Sequence, residues 1–370
     1  MQQRDAIRWF ACGLAALLAW PAIARQAPPA APAPAAPAAA GVVTGDDPAT
    51  RIALPAPGAD GIVDLETMVV SGVVPGPGLW QVRRGEHVLW ILGTLGPLPR
   101  RMEWASADVE RVAAESQALL EAPSVGLEKD IGFFRGLTLL PTALKARRDP
   151  QGRKLEDVVG PEDHARWLAL KARYIGGNDG IEQWRPVFAA LELYEKAVEK
   201  SGMRFTSGIT RTVERAAKKG GAAIVPVKVT FQVDNPRAAL KEFAREPLDD
   251  LGCFRKTLDR IEGDLGNMAA RANAWAVGDL DTLRALPYEN QFVACNAAFT
   301  GAALARRYGM HDLQQRIEQA WLAAAEDALA RNRSTIALLP IQQLLRSDGY
   351  LAKLAARGYE VVPPDGSPGG

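Results

Sequence analysis

Few residues in this chain are equipped for chemistry, and their spacing suits it poorly. There are three histidines, His87, His164 and His311. None has a second histidine or a carboxylate at metal-ligand spacing, so each reads as a surface residue. The chain contains no Gly-x-Ser-x-Gly elbow. It has no phosphate loop or dinucleotide fingerprint either: Gly176-Gly177-Asn178-Asp179-Gly180 lacks the spacing those motifs need. The stretch WILGTLGPLPRR, Trp90 to Arg101, reads as an apolar strand that stops at a Gly93-Thr94 turn. Chemistry is often placed at such strand ends. Here Leu95, Gly96 and Pro97 follow, and no side chain among them can hold a metal or move a proton. Glu121 is different. It closes the apolar run Ala118-Leu119-Leu120, where a carboxylate can serve as base or ligand, or be a solvated strand end.

These residues need elements to hold them. Leu79 to Val82 and His87 to Leu92 read as two strands joined by Arg84-Gly85-Glu86, a hairpin. Ser106 is placed to cap a helix bearing Val109, Val112 and Ala113 at helical spacing. Ala118 to Glu121 reads as a short buried strand. The middle, about residues 130–205, is helical, with Trp184, Val187, Leu191, Tyr194 and Val198 three and four apart. Gly208 to Lys219 is a further helix, and Ala222 to Val233 a β-branched strand. Asn235 caps the next helix, with Pro236 in its first position. Leu251, Phe254, Leu258, Ile261, Leu265 and Met268 form a regular stripe, read as core. Ser334 to Leu339 and Tyr359 to Val362 return to strands, around a helix at Tyr350 to Arg357. The pattern predicts one α/β domain whose mixed sheet is assembled from both ends of the chain around a long helical middle.

Composition narrows the function. The chain has 370 residues, 48% hydrophobic and 24% charged, with a net charge of +1. That supports a sizeable core and gives no electrostatic case for nucleic acid. Arg4 and Arg8, the apolar run Trp9 to Trp20 and the site Ala22-Ile23-Ala24 read as a cleaved secretory signal, residues 1–24. An uncleaved N-terminal anchor is the rival reading. Residues 25–71 are an expected linker, almost entirely Ala and Pro through residue 41. The domain is expected over residues 72–364, with a flexible tail at 365–370. Export without a membrane span implies the periplasm or secretion. Cleavage leaves Cys253 and Cys295, too few for a disulfide scaffold but enough for one bridge in an oxidising compartment.

Several motifs in order resemble one family. Leu79-Trp80-x-Val82, Gly85, Trp90 to Thr94, Trp104, Val109-Glu110 and Leu119-Leu120-Glu121 are similar to the start of the TraB/GumN family, which includes the Tiki proteases. Gly208-Ile209, Ala217-Lys218-x-Gly220, Trp321, Asp348-Gly349 and Leu354-x-x-Arg357-Gly358-Tyr359-x-Val361 continue the resemblance across residues 75–363. It implies an erythromycin-esterase/ChaN-like α/β fold and metal-dependent hydrolysis resting on two Gly-x-x-His motifs and nearby glutamates. In this chain the first motif is Gly93-Thr94-Leu95-Gly96, with Gly96 at the histidine position. In the second, Pro340 replaces the leading glycine and Gln343 the histidine. The family's Gly-Leu-Glu-Thr segment falls near Pro226 to Thr230, where no acid stands, and Thr210 replaces an aspartate. Of that acidic and imidazole set, Glu121 alone clearly remains.

Glycine offers no ligand, and a neutral amide is a poor one for zinc or manganese. The resulting expectation is a periplasmic protein of this kind that has lost its catalytic chemistry. It would bind or scaffold at the cell envelope through an unknown protein or envelope ligand, with no cofactor and no metal. The inherited positions to inspect are Gly93, Gly96, Glu121 and Gln343. Two alternatives are a peptidase-like metal hydrolase with a site rearranged around Glu121, and a haem or small-ligand module of ChaN-like fold.

Overall fold

The computed structural model describes residues 76–128, 133–205, 208–286 and 291–364; the expected signal, linker and tail lie outside them. Strands β1 (Leu79–Arg84) and β2 (His87–Thr94) form the expected hairpin, in register from Leu79↔Leu92 to Arg84↔His87. Gly85 turns it with φ 57°. β2 does not stop at Gly93. It runs through Thr94, because β9 (Ser334–Pro340) pairs beside it in parallel as far as Thr94↔Pro340.

The chain between these strands builds the other elements. β3 (Leu98–Pro99) follows the turn, then α1 (Ala107–Glu115), β4 (Ala118–Leu120) and β5 (Ser124–Leu127). The helical middle holds α2 (Phe133–Ala146), α3 (Leu155–Val159), α4 (Pro161–Tyr174) and α5 (Pro186–Lys200). After β6 (Met203–Arg204) come α6 (Ile209–Gly220), β7 (Ala223–Val225), β8 (Lys228–Phe231) and α7 (Pro236–Phe243). Helices α8 (Leu251–Gly263), α9 (Leu265–Val277), α10 (Leu280–Ala285), α11 (Gln291–Thr300), α12 (Ala303–Arg307) and α13 (Leu313–Arg331) lead to β9. Finally α14 (Ile341–Leu344), α15 (Tyr350–Ala356) and β10 (Glu360–Val362) close the chain.

The main sheet has the order β10-β1-β2-β9-β4-β7, so both ends of the chain do build it. Strands β2, β9, β4 and β7 run parallel. Its apolar faces, with Ile91, Leu92, Leu119, Ile336 and Leu338, form the larger core together with α1, α6 and α13. Helices α1 and α6 approach so closely that a Cβ on Gly220 would collide with the Ala114 carbonyl. A second core lies in the helical middle, around Trp167, Tyr194, Phe254 and Leu258.

Two sequence expectations change in detail. The strand expected over Ala222 to Val233 is broken at Pro226. β7 stays in the main sheet, while β8 pairs with β5 in a separate parallel ribbon. Pro123 divides β4 from β5 in the same way, since proline donates no hydrogen bond to a ladder. The apolar stripe from Leu251 to Met268 is inward-facing as expected, with all but Leu251 fully buried. It nevertheless spans two helices, because Asp264 (φ −119°, ψ −5°) breaks the run and turns its carboxylate inward. Cys253 and Cys295 are bonded, joining α8 to α11 across 4.5 Å between Cα atoms. Among the described residues no helix is long and apolar enough to cross a membrane.

Candidate functional site

The register gathers the inherited positions at one edge of the sheet. Gly93 pairs with Leu339 and Leu120 with Ala337. Gly96 therefore follows β2, Glu121 follows β4 and Gln343 follows β9, all at the carboxyl ends of adjacent parallel strands. Open α/β sheets place ligands at such edges. The scaffold for a site is in place, and what differs is the side chains it carries.

Gly93 lies inside β2, and packing dictates its type. A Cβ there would collide with Ile341 Cδ1 and crowd Trp80 and Leu344, at 3.1 and 3.2 Å. Helix α14 thus leans on a bare backbone. The Gly93 carbonyl accepts from Trp275 Nε1 at 2.6 Å, and Trp275 packs against Trp104 with ring centroids 5.6 Å apart. Thr94 Oγ1 donates to the Leu339 carbonyl at 3.2 Å. Gly96 precedes a cis peptide bond to Pro97. The next residues, Leu98 and Pro99, pair with Arg204 and Met203, tying the turn to the helical middle.

Glu121 is half-buried just beyond β4, and its backbone N–H donates to the Val225 carbonyl at 3.0 Å. Gln343 is buried in the single turn of α14. A narrow gap beside Gly96 is walled by Leu95, Pro97, Arg260, Met268 and Arg271; neither Glu121 nor Gln343 borders it. Among the described residues no group of three or more His, Cys, Asp or Glu is arranged to hold a metal. The donor set does not fit a divalent metal: at the inherited positions it is one carboxylate and one amide, where a catalytic zinc takes about three protein ligands.

The histidines are engaged elsewhere. His87 begins β2, at the end opposite Gly93; it is half-buried and not the surface residue expected, because its Nδ1 lies 2.7 Å from the Leu329 carbonyl of α13. His164 is half-buried rather than a plain surface residue, and its Nε2 lies 3.3 Å from Glu182 Oε2. His311 is exposed. On α4, His164, Trp167 and Lys171 share one face, and all reach Glu182. Trp167 Nε1 donates to it at 2.9 Å and Lys171 Nζ at 2.8 Å. Burial opposes its charge, but hydrogen bonds from Lys171, Trp167 and His164 hold the Glu182 carboxyl below the usual range. A carboxylate so stabilised is a staple between α4 and residues 179–183, and a weak base.

Sequence reasoning missed one buried polar cluster. Asp264 clasps Arg271 with both oxygens, at 2.9 and 2.5 Å, and lies 3.4 Å from Arg260 Nε. Arg260 Nη1 donates to Gln291 Oε1 at 2.6 Å. All four residues are buried. The signal was present in the spacing: Arg260, Asp264 and Arg271 stand four and seven apart, the first two inside the apolar stripe and the third one turn past its end at Met268.

No curated protein and no solved structure matches the chain. A family model does match, that of the TraB/PrgY/gumN family, over residues 78–363, from the first residue before β1 to just past β10. With the match extending over the whole sheet and the helical middle between its strands, the chain belongs to the TraB/PrgY/gumN family.

Proposed function

We propose that this is an exported, periplasmic member of the family that acts by binding a protein or other envelope component, and not by metal-dependent hydrolysis. The observation that carries this reading is the donor set at the carboxyl edge of the sheet. Glycine stands at the first motif position, a buried glutamine at the second, and Glu121 is the single acid. Hydrolysis of the metal-dependent kind needs a Lewis acid and a bound water of lowered pKa, and one carboxylate with an amide neighbour gives neither a firm seat. Export is supported by the charged and apolar start of the chain, and by a bridge between its two remaining cysteines.

The deciding experiment is elemental analysis of protein purified without chelator or affinity tag, together with a peptidase assay. The expected result is no stoichiometric transition metal and no cleavage. A metal-to-protein ratio near one that disappears in Glu121→Ala would overturn the reading. Mass spectrometry of the N-terminus in envelope preparations tests export separately. The expected mature chain begins at Arg25, and an intact Met1 on membrane-extracted protein would count against cleavage.

A further inference from the structure

Helix α2 is apolar on two opposite sides, and one of them is uncovered among the described residues. Leu139, Ala143 and Ala146 point inward and are buried. Leu137, Pro141 and Leu144 stand four and three residues apart, which puts them together on the outer side. All three are exposed. Leu137 and Leu144 are 37% and 44% exposed, and they are two of the four large apolar side chains that stand out among the described residues. The other two, Leu168 and Val277, lie on different helices. A helix with apolar residues all round is ordinarily buried or set in lipid.

Charge around the stripe has one sign. Residues 133–148 include Arg135, Lys145, Arg147 and Arg148 and no acid. Lys145 is exposed in the last turn of α2, and Arg148 is exposed just past its end. Arg147 turns inward, over the Trp184 ring and toward Glu192 and Glu195. The next residue, Asp149, is buried and held by Arg153. Helix α7 packs alongside, where Arg237 Nη2 donates to the Thr138 carbonyl at 2.9 Å. It adds Lys241, exposed four residues after Arg237. Its one acid, Glu242, is taken up by Arg307 at 2.6 Å. Lys145, Arg148 and Lys241 form no ion pair among the described residues.

We propose that the outer side of α2, with the neighbouring cations of α7, is a docking face for the surface of an anionic lipid bilayer. The inference rests on the reading that this protein acts by binding an envelope component, and it names that component. Leu137 and Leu144 enter between the headgroups while Lys145, Arg148 and Lys241 meet the phosphates; a bilayer surface offers both partners at once. Among the described residues no helix crosses the membrane, so the contact made by this face is peripheral, and so few groups make it reversible.

Vesicle flotation tests this on mature protein purified from the envelope. The vesicles are phosphatidylcholine alone, or phosphatidylcholine with about one-third phosphatidylglycerol. Partitioning onto the anionic vesicles is expected to be at least tenfold stronger and to fall as salt rises; equal binding to both, or binding to neither, overturns the proposal. Each cation at an anionic surface is worth about fivefold in partitioning, so Lys145→Glu with Lys241→Glu is expected to lower it at least tenfold. Leu137→Ser with Leu144→Ser changes only exposed positions and is expected to lower it at least threefold. A smaller loss in either pair overturns the assignment to this face. The reference pair is Arg211→Glu with Lys219→Glu, exposed cations on α6 that form no ion pair among the described residues. It should stay within twofold, and a loss as large as that of the lysine pair overturns the assignment too. Sedimentation without lipid separates another occupant: a dimer that Leu137→Ser with Leu144→Ser dissolves would give the stripe to a second copy of the chain and overturn the lipid reading. Stoichiometric zinc on the unaltered chain would instead defeat the binding-protein reading, while the vesicle data would still report on α2.

Discussion

Glu195 lies on α5 three residues after Glu192 and four before Glu199, on a partly buried face shared with Lys196. Burial first, then the charges of Glu192 and Glu199, push its carboxyl up to about 7, against the opposing pull of Lys196 and Arg147. A carboxyl whose pKa is higher in the folded than in the unfolded state favours folding while it is protonated. That contribution is complete below the ordinary value near 4.5 and is lost as the pH rises through about 7. Glu195→Gln should therefore be more stable than the unaltered chain at pH 8, by about 1 kcal/mol once screening is allowed for. The gap should close toward pH 5. Urea denaturation at both values checks it, and identical pH dependence of the two proteins would rule it out. At the same scale, Trp275→Phe keeps most of the packing but leaves the Gly93 carbonyl without its indole donor. The expected cost is about 1–2 kcal/mol, read as a lower urea midpoint. An unchanged midpoint would mean that the bond between α9 and the turn contributes nothing.

Among the elements, closeness of approach decides what is replaceable. Gly220 ends α6 where the backbone of α1 passes, with the Ala114 carbonyl in the place a Cβ would take. Backbone cannot swing aside as a side chain can, so Gly220→Ala must push α6 off α1 and loosen the core at Val112 and Val213. A loss of about 2 kcal/mol or more is expected. Gly177→Ala, with open space around its Cβ, is the control and should fall within about 0.5 kcal/mol; equal melting temperatures for the two variants would refute the account. How much of this was legible beforehand follows the same physics. The hairpin, the end strands and most helices were readable because each carries its own period and its own turn residues, as Gly85 and Asn235 do. The step at Pro226 was not, since β-branched residues on both sides masked a change of sheet. The split at Asp264 was not, because the apolar stripe continues through it. At the candidate site, Gly96, Glu121 and Gln343 were legible through family order, and the register brings their strand ends together. The buried arginines were not, since a charged residue in a sequence reads as solvated until its carboxylate partner is seen to be inside with it.

At the scale of the whole molecule, the two cores divide the labour. The sheet with α1, α6 and α13 presents the inherited strand ends, and the helical middle lies over them. Cys253 and Cys295 sit in that middle, buried among Val187, Phe188 and Phe299, and tie α8 to α11. Through α11 the bridge also positions Gln291, which holds Arg260 against the turn. Closing a loop with a sequence separation of 42 residues restricts the unfolded chain, for an expected stabilisation of about 3–4 kcal/mol. The loss of that bridge should be felt unevenly. Cys253→Ala with Cys295→Ala should lower the unfolding midpoint, and it should release the helical cover before the sheet. Amide exchange in α8 and α11 should quicken when the bridge is removed, while that in β2 and β9 stays slow. Protein made in a reducing cytoplasm should show the same lower midpoint and recover on oxidation. If the midpoints with and without the bridge coincide, the bridge is incidental to stability.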